Sequence, residues 1–381
     1  MAELLIAIGP GEWRAAWVED GEARELYVER GDTKPPGSRH LGRVVRVVPA
    51  LDAALVDIGD ERPGFLPLRD APRNATVSEG AAVVVEVRRE AWQDKAPRLS
   101  GKLPDAAVLP AELRPPAQLL PAPGLAAALA LRLPMAPAGI EVDDVAAVAE
   151  LRRVFTDVEI DVRHGDEWPI ELDALFEAAL SPSLAIGEGG SLHIEETHAA
   201  TMIDVDTGSP AGRSSSARAA LAANRAAARL VAQELRRRNI GGAVVIDFVG
   251  LERRDHRDQV LATLTGAMAH DPAKPQVLGW TRLGHLELTR PRRARSLADA
   301  MLEPTGRRKQ PVALAYEALK RLQREARMMP AATWRLRVAP AVAMTLHDTA
   351  APALRTLETR LGRAIAIESI DGLDGFDIAP G

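Results

Sequence analysis

Three aspartates lie in two strand-like segments, Met202 to Asp206 and Val244 to Phe248. In a strand, Asp204 and Asp206 would project from the same face, because alternate side chains share a face. Asp247 ends an almost wholly apolar run, where a carboxylate is costly to bury unless a cation or hydrogen bonds receive it. If the three acids converge, they would suit a divalent metal ion.

The segment between the two strands predicts the element that would position them. Residues 214 to 238 are rich in strong helix formers, with serines at the start and arginines at the end. Strand, helix and strand indicate a crossover unit with parallel strands, so Asp204 and Asp247 can meet near one sheet edge. Spacing alone leaves an alternative equally open, in which Asp206 begins a turn and Asp247 pairs with an arginine.

Composition limits the class of protein. The 381 residues are 46% hydrophobic and 27% charged, which is typical of a soluble globular protein of about two to four compact units. The chain has no cysteine, which excludes disulfides and thiolate metal sites and is compatible with a cytoplasmic location. No apolar run approaches the roughly 20 residues of a membrane span, and the N-terminus resembles a strand and not a signal peptide.

Charge is unevenly distributed although the net charge is −5. Between Trp280 and Met329 there are 12 Lys or Arg against 5 Asp or Glu. Such a basic stripe can attract phosphates even on an acidic molecule. A solvated helix face followed by a loop would produce the same composition.

The order of patterns along the chain predicts several units. Residues 1 to 30 alternate as strands, and residues 40 to 103 contain five short strands, as in a small OB-type barrel. Residues 104 to 137 hold eight prolines and predict a linker or a compact irregular insert. Helix and strand patterns then lead to the aspartates, and the tail after residue 333 is predicted to form strand, helix and strand.

Four sequence blocks in this order resemble the ribonuclease E/G family: GRVVRVVPALDAALVDIGDERPGFLPL, GGSLHIEETHAATMIDVDTG, NIGGAVVIDFVG and GWTRLGHLELTRPR. The resemblance implies a multidomain α/β fold. The implied units are an RNase H-like domain (1–36 and 138–186), an S1 RNA-binding barrel (37–103), a linker or reduced sensor region (104–137), a DNase I-like catalytic domain (187–297), a basic linker (298–310) and a small α/β domain (311–381).

The resemblance also implies the chemistry. Asp204 and Asp247 match the aspartates that hold the catalytic Mg²⁺, and Arg290 matches an arginine at the scissile phosphate. Asp206 stands where the family usually has an asparagine, which adds a negative charge at the metal and could favour Mn²⁺. The implied reaction is hydrolysis of single-stranded RNA to 5′-phosphate and 3′-hydroxyl ends. His193 and His198 are close in sequence, but surface or structural roles are favoured for both.

RNA contacts are implied on the barrel and in the basic stripe. Phe65 matches an aromatic that stacks on a base, Leu55 replaces a second aromatic, and Lys95 matches a phosphate-binding residue. Core packing is the alternative for Phe65. In the basic stripe, Arg282, Arg292 and Arg293 are the predicted RNA-binding residues.

Two departures from the family matter. Residues 298 to 310 lack the cysteines with which paired chains share a zinc ion, so we expect no zinc-linked tetramer, while a homodimer stays open. The region before Ile140 is shorter than the family's 5′-sensor, so we expect cleavage regardless of 5′ phosphorylation. The other functions to consider are a catalytically weak or inactive RNA-binding protein of this fold and a DNA-directed nuclease.

Overall fold

Some strands alternate between buried and exposed side chains and others are buried almost throughout, as seen in a computed structural model. It describes residues 2–30, 36–60, 62–73, 76–91, 96–103, 112–120, 124–163, 170–187, 190–206, 217–303 and 308–380. The strands are β1 (Ala2–Gly9), β2 (Glu12–Glu19), β3 (Glu22–Arg30), β4 (Arg39–Val48), β5 (Ala53–Asp57), β6 (Gly64–Pro67), β7 (Ala82–Arg89), β8 (Arg98–Ser100), β9 (Ala117–Leu120), β10 (Gly139–Val142), β11 (Glu159–Val162), β12 (Ser183–Ala185), β13 (Ser191–Glu196), β14 (Thr201–Asp206), β15 (Gly242–Asp247), β16 (Gln276–Trp280), β17 (Leu286–Arg290), β18 (Trp334–Val338), β19 (Ala366–Ser369) and β20 (Phe376–Pro380).

The helices follow the segments with an apolar stripe at helical spacing. They are α1 (Leu125–Ala130), α2 (Val148–Val154), α3 (Leu172–Leu180), α4 (Ala217–Arg237), α5 (Arg254–Ala267), α6 (Leu297–Met301), α7 (Pro311–Met328), α8 (Pro340–His347) and α9 (Ala351–Leu361). Within the described ranges, no helix is both long and apolar enough to span a membrane. Residues 29–131 form one compact unit, and residues 1–28 with 132–381 form the other.

The unit of residues 29–131 contains the predicted barrel. Strands β4, β5, β6, β8 and β7 close on themselves through the pairing of β4 with both β5 and β7. Their inward residues form one apolar cluster that includes Val56, Leu66, Val85 and Leu99. The proline-rich region is more ordered than a linker where it is described, because β9 pairs with β4 and α1 follows.

In the other unit, a five-stranded sheet has the order β11-β10-β1-β2-β3. The sheet combines β1, β2 and β3 with β10 and β11, which follow the barrel strands in the sequence. Leu5, Ala16 and Phe176 of α3 pack in the core on one face of this sheet. The RNase H-like domain predicted over residues 1–36 and 138–186 stays a prediction.

A second sheet of this unit carries the predicted site, with the order β12-β13-β14-β15-β17-β16. Strands β14 and β15 are parallel and joined through α4, so the predicted crossover unit is confirmed. The proposed serine caps of this helix, Ser214 to Ser216, lie outside the described residues. Helices α4 and α5 pack on one face through apolar side chains such as Val231, Leu235 and Val260, while the outward residues of β14 are exposed.

The C-terminal part forms a small α/β layer with the strand order β19-β18-β20, covered by α7 to α9. The strand predicted over residues 334 to 344 is wrong after Val338, because Pro340 begins α8. Proline suits the first turn of a helix, where its missing N–H has no intrahelical partner. β20 was not predicted; it pairs antiparallel with β18.

A charge cluster links α3 to α7 and yields a prediction on acid stability. Asp173 accepts hydrogen bonds from Lys320 Nζ at 2.8 Å and Arg324 Nη1 at 2.7 Å. Although its partial burial opposes ionisation, these cations lower the pKa of Asp173 to about 2. Since the unfolded-state pKa is about 3.9, the stabilisation is complete above that pH and is lost as the pH falls towards 2.

We therefore expect Asp173→Asn to lower the free energy of unfolding at pH 7. In urea denaturation, the difference from wild type should narrow as the pH falls from about 4 towards 2. Asp157→Asn, at an exposed aspartate in the turn before β11, serves as the control. A constant difference across this pH range would contradict the assignment.

Candidate active site

The strand register brings two of the three aspartates side by side. Asp204 and Asp247 are Cα partners in the parallel pairing of β14 with β15. Neighbouring strands lie about 4.8 Å apart, so both carboxylates are within reach of one small ion. The residues just before them, Ile203 and Ile246, point into the core, which turns both aspartates to the exposed face. The Asp247 side chain is 57% exposed.

Asp206 lies further along the same face. It is paired with Ser191 of β13, while Asp204 is paired with His193. Two residues of strand separate Asp206 from Asp204 by about 6.6 Å along the backbone. Over the described ranges, no group of three or more His, Cys, Asp or Glu residues is placed to hold a metal ion. The register places Asp204 beside Asp247, and the metal role of all three aspartates stays a prediction.

This pair is chemically suited to a divalent cation. No described lysine or arginine forms an ion pair with Asp204 or Asp247. Asp247 instead lies 3.7 Å from His285 Nε2. Mg²⁺ sites commonly take one or two carboxylates and fill the remaining positions with water and phosphate oxygens. The donor set fits such an ion with two protein carboxylates.

Two histidines extend the row of aspartates across the sheet. His193 is the cross-strand partner of Asp204, and His285 precedes β17 beside Asp247. His193 Nε2 lies 3.2 Å from a Glu195 carboxylate oxygen, and its Nδ1 lies 2.8 Å from the Ser183 hydroxyl. His198 is in the exposed turn after β13. His285 was missed from sequence, although the register of the β16–β17 hairpin with β15 places it there.

Asn224 is a second residue that sequence reasoning missed. It is fully buried on the apolar face of α4. Its side-chain amide donates to the Val249 carbonyl at 2.6 Å, and its side-chain oxygen accepts from the Val249 N–H at 3.1 Å. Both bonds fix the chain two residues after Asp247. A polar residue among the alanines of α4 was the available signal.

Arg290 is placed differently from the prediction. It is 2% exposed and lies on the helix-covered side of β17, paired with Gly242 at the opposite end of β15 from Asp247. Its guanidinium binds both carboxylate oxygens of Asp271, at 2.7 and 3.1 Å. It also donates to the Ile240 carbonyl at 3.0 Å. The structure does not bring Arg290 to the aspartates, because these partners hold it inside the core.

The predicted RNA-binding arginines are likewise separated. Arg282 is exposed in the turn between β16 and β17, at the end of the sheet that carries Asp247. Arg292 and Arg293 follow the other end of β17. Arg292 packs over Gly241 and Gly242, where a Cβ on either glycine would collide with it. Only Arg282 of the three is near the carboxylate pair.

On the barrel, Phe65 is half-buried on the outward side of β6, between the buried residues Gly64 and Leu66. Its cross-strand partner is Leu55, and Arg98 lies beside it on β8. On the neighbouring strand β4, Arg46 is the cross-strand partner of Leu55. The row Arg46, Leu55, Phe65 and Arg98 combines apolar and cationic groups on one surface. Lys95 lies outside the described residues.

Comparison with known proteins finds similarity to ribonucleases. Residues 142–293 match the model of the ribonuclease E/G family. Ribonuclease G of Haemophilus influenzae is 25% identical over 488 aligned positions, with 99% of each chain covered. Ribonuclease G of Escherichia coli K12 is 24% identical over 485 positions, again covering 99% of each. Ribonuclease E of a Nostoc species is 27% identical over 379 positions, covering 75% of this chain and 55% of its own.

The barrel, the sheets and the packed helices make this a multidomain α/β protein, and the proteins that it matches are ribonucleases. The chain is thus similar to the ribonuclease E/G family, through the model match and through relatives at 24–27% identity. With 381 residues it is shorter than its alignment with the Haemophilus relative, so parts of that relative have no counterpart here.

Proposed function

We propose that this protein is a Mg²⁺-dependent endoribonuclease that hydrolyses single-stranded RNA during cytoplasmic RNA processing or decay. The observation that carries the proposal is the pairing of Asp204 with Asp247 on an exposed sheet face. Relatives named ribonuclease G, matched over 99% of both chains, support the substrate class. The assignment of an S1 barrel, an RNase H-like sheet and a DNase I-like sheet is part of the same proposal.

Asp204 and Asp247 would hold the ion, and Mn²⁺ could replace Mg²⁺ there. When bound, a divalent ion polarises a phosphodiester and lowers the pKa of a water. The chain itself supplies the position of the two carboxylates: the β14–β15 pairing sets their spacing, and Asn224 fixes the loop after Asp247. The His285 Nε2 atom lies 3.7 Å from the Asp247 carboxylate.

The proposed reaction is a displacement at phosphorus. A water oxygen forms the new bond to phosphorus and the bond to the 3′ oxygen breaks. The products are a 5′-phosphate and a 3′-hydroxyl, and the water's protons pass to the leaving oxygen and to solvent. Arg282, exposed at the same end of the sheet, can bind the charged RNA backbone.

The experiment that tests this function uses purified protein and a labelled single-stranded RNA, with Mg²⁺ or with EDTA. We expect cleavage only with Mg²⁺, internal cuts, and fragments that a 5′-phosphate-dependent exonuclease degrades. Single-stranded DNA of the same sequence should remain intact. Preferential cleavage of the DNA would instead indicate the DNA-directed nuclease.

One observation favours a second candidate, a catalytically inactive RNA-binding protein. Within the described residues, no group of three or more His, Cys, Asp or Glu side chains could hold a metal ion. Salt-dependent RNA binding without cleavage under Mg²⁺ or Mn²⁺ would establish this alternative.

The barrel surface yields a prediction on affinity. We expect Phe65→Ala to weaken single-stranded RNA binding about tenfold, because a stacked base contributes roughly 1–3 kcal/mol. Fluorescence anisotropy with a short labelled RNA measures the change. Val56→Ala, on the inward side of β5, is the contrasting variant, expected to lower stability without changing affinity. Unchanged affinity in Phe65→Ala would contradict the proposed stacking.

A further inference from the structure

The turn of the β16–β17 hairpin, residues 281–285, exposes an apolar side chain beside the carboxylate pair. Leu283 is 84% exposed, more than any other large hydrophobic residue in the described ranges. Burying a leucine contributes about 1.5–3 kcal/mol, and Leu283 contributes almost none of this to the fold. Arg282 next to it is also exposed. A lone exposed leucine is ordinary on a surface, so its significance depends on the rigidity and position of the turn.

The turn is rigidly built. The Thr281 N–H donates to the His285 carbonyl at 2.8 Å, and the Gly284 N–H donates to the Thr281 carbonyl at 3.1 Å. The His285 N–H also donates to the Thr281 hydroxyl at 3.2 Å. Gly284 has a φ of +93°, a conformation that glycine adopts without strain. Leu283 is therefore held outward by backbone bonds on both sides.

Aromatic packing anchors the base of the hairpin. The ring of Trp280 lies 5.9 Å from the ring of Phe248, which directly follows Asp247. The Arg257 guanidinium lies 5.8 Å from the centroid of the Trp280 ring. His285, at the end of the turn, is 3.7 Å from the Asp247 carboxylate. These contacts fix the turn relative to the aspartates.

An exposed leucine and an exposed arginine on a rigid turn match the chemistry of a single-stranded nucleic acid. Its unstacked bases present apolar faces, and its backbone presents phosphates within reach of a neighbouring cation. Apolar side chains also serve as wedges between bases in nucleic-acid complexes. A protein partner would need a wider apolar surface than one leucine.

We propose that Leu283 packs against the nucleobase next to the scissile phosphate while Arg282 binds the adjoining backbone. Leu283 is thus a positioning residue: it holds the strand so that one phosphodiester faces Asp204 and Asp247. This inference rests on the function proposed above for that pair.

The first test is a mutant cycle between protein and RNA. We expect Leu283→Ser to lower kcat/KM about fivefold to tenfold on an intact single-stranded RNA, in line with the value of one base contact. An RNA with an abasic nucleotide at one position beside the cut should lower the kcat/KM of wild type by a similar factor. On that RNA, Leu283→Ser should have the same kcat/KM as wild type. Leu278→Ser, at another exposed leucine on β16, should match wild type on every substrate. The proposal would be overturned if Leu283→Ser lowered kcat/KM relative to wild type on every abasic substrate by the same factor as on intact RNA.

The second test does not depend on cleavage. Asp247→Asn, with and without Leu283→Ser, is bound to RNAs carrying 2-aminopurine at successive positions. We expect the fluorescence at one position to differ between the two proteins, and identical profiles would overturn the proposal. If wild type fails to cleave RNA while this difference is seen, the proposed hydrolysis fails and the base contact stands. A change from dimer to monomer in Leu283→Ser by light scattering, with unchanged profiles, would show that a second copy covers the leucine.

Discussion

Asp247→Asn is expected to lower RNA cleavage about a thousandfold and to leave RNA binding nearly unchanged. The substitution removes one of two carboxylates that would hold the ion, and metal stabilisation of a phosphoryl transition state is worth several kcal/mol. Asp204→Asn should have the same effect, because the two side chains are cross-strand partners. The affinity should persist because the barrel surface with Phe65 is not altered. Single-turnover cleavage and anisotropy measure the two quantities.

The matched control is Glu287→Gln, which removes an exposed negative charge from β17 of the same sheet. It should cleave within a fewfold of wild type. Cleavage by Asp206→Asn should fall between that of Glu287→Gln and that of Asp247→Asn, because Asp206 lies two residues along β14 from Asp204 and is paired with Ser191 of β13. None of these substitutions, all at exposed carboxylates, should change the unfolding temperature by more than a few degrees. Equal cleavage by wild type, Asp204→Asn and Asp247→Asn would place the active site elsewhere.

Much of the site could be predicted because it follows from local pattern and topology. The paired acids of β14 and the almost wholly apolar run of β15 predicted the two strands, and the helix between them indicated a parallel pairing, which places Asp204 beside Asp247. The five strands of the barrel were predicted for the same reason. Local pattern determines these elements, since each strand buries one face.

The remaining parts depend on register between segments that are distant in sequence. Arg290 has the residue type of a phosphate-binding group, and only its pairing with Gly242 shows that it points into the core. His285 and Leu283 have no periodic signal, because they belong to a turn whose position is set by β15 and β17. Asn224 was not predicted because one polar residue hardly alters the strong helical pattern of α4.

Asp271→Ala is expected to lower the free energy of unfolding by about 3–5 kcal/mol, the usual cost of leaving a buried charge without its partner. Asp271 and Arg290 are 3% and 2% exposed, and their ion pair closes at 2.7 Å. Asp271 also accepts from the Ala273 N–H at 2.9 Å, which shapes the chain before β16. Urea denaturation followed by circular dichroism measures the loss.

The double variant Asp271→Leu with Arg290→Met separates the structural role of this pair from the predicted catalytic role of Arg290. Removing both charges leaves no unpaired ion, so the double variant should lose less stability than the sum of the single variants. Well below its unfolding transition it should still cleave RNA within about tenfold of wild type, because Arg290 lies at the other end of β15 from Asp247. A thousandfold loss of cleavage in this folded double variant, with RNA affinity unchanged, would instead show that Arg290 leaves Asp271 to act on the scissile phosphate.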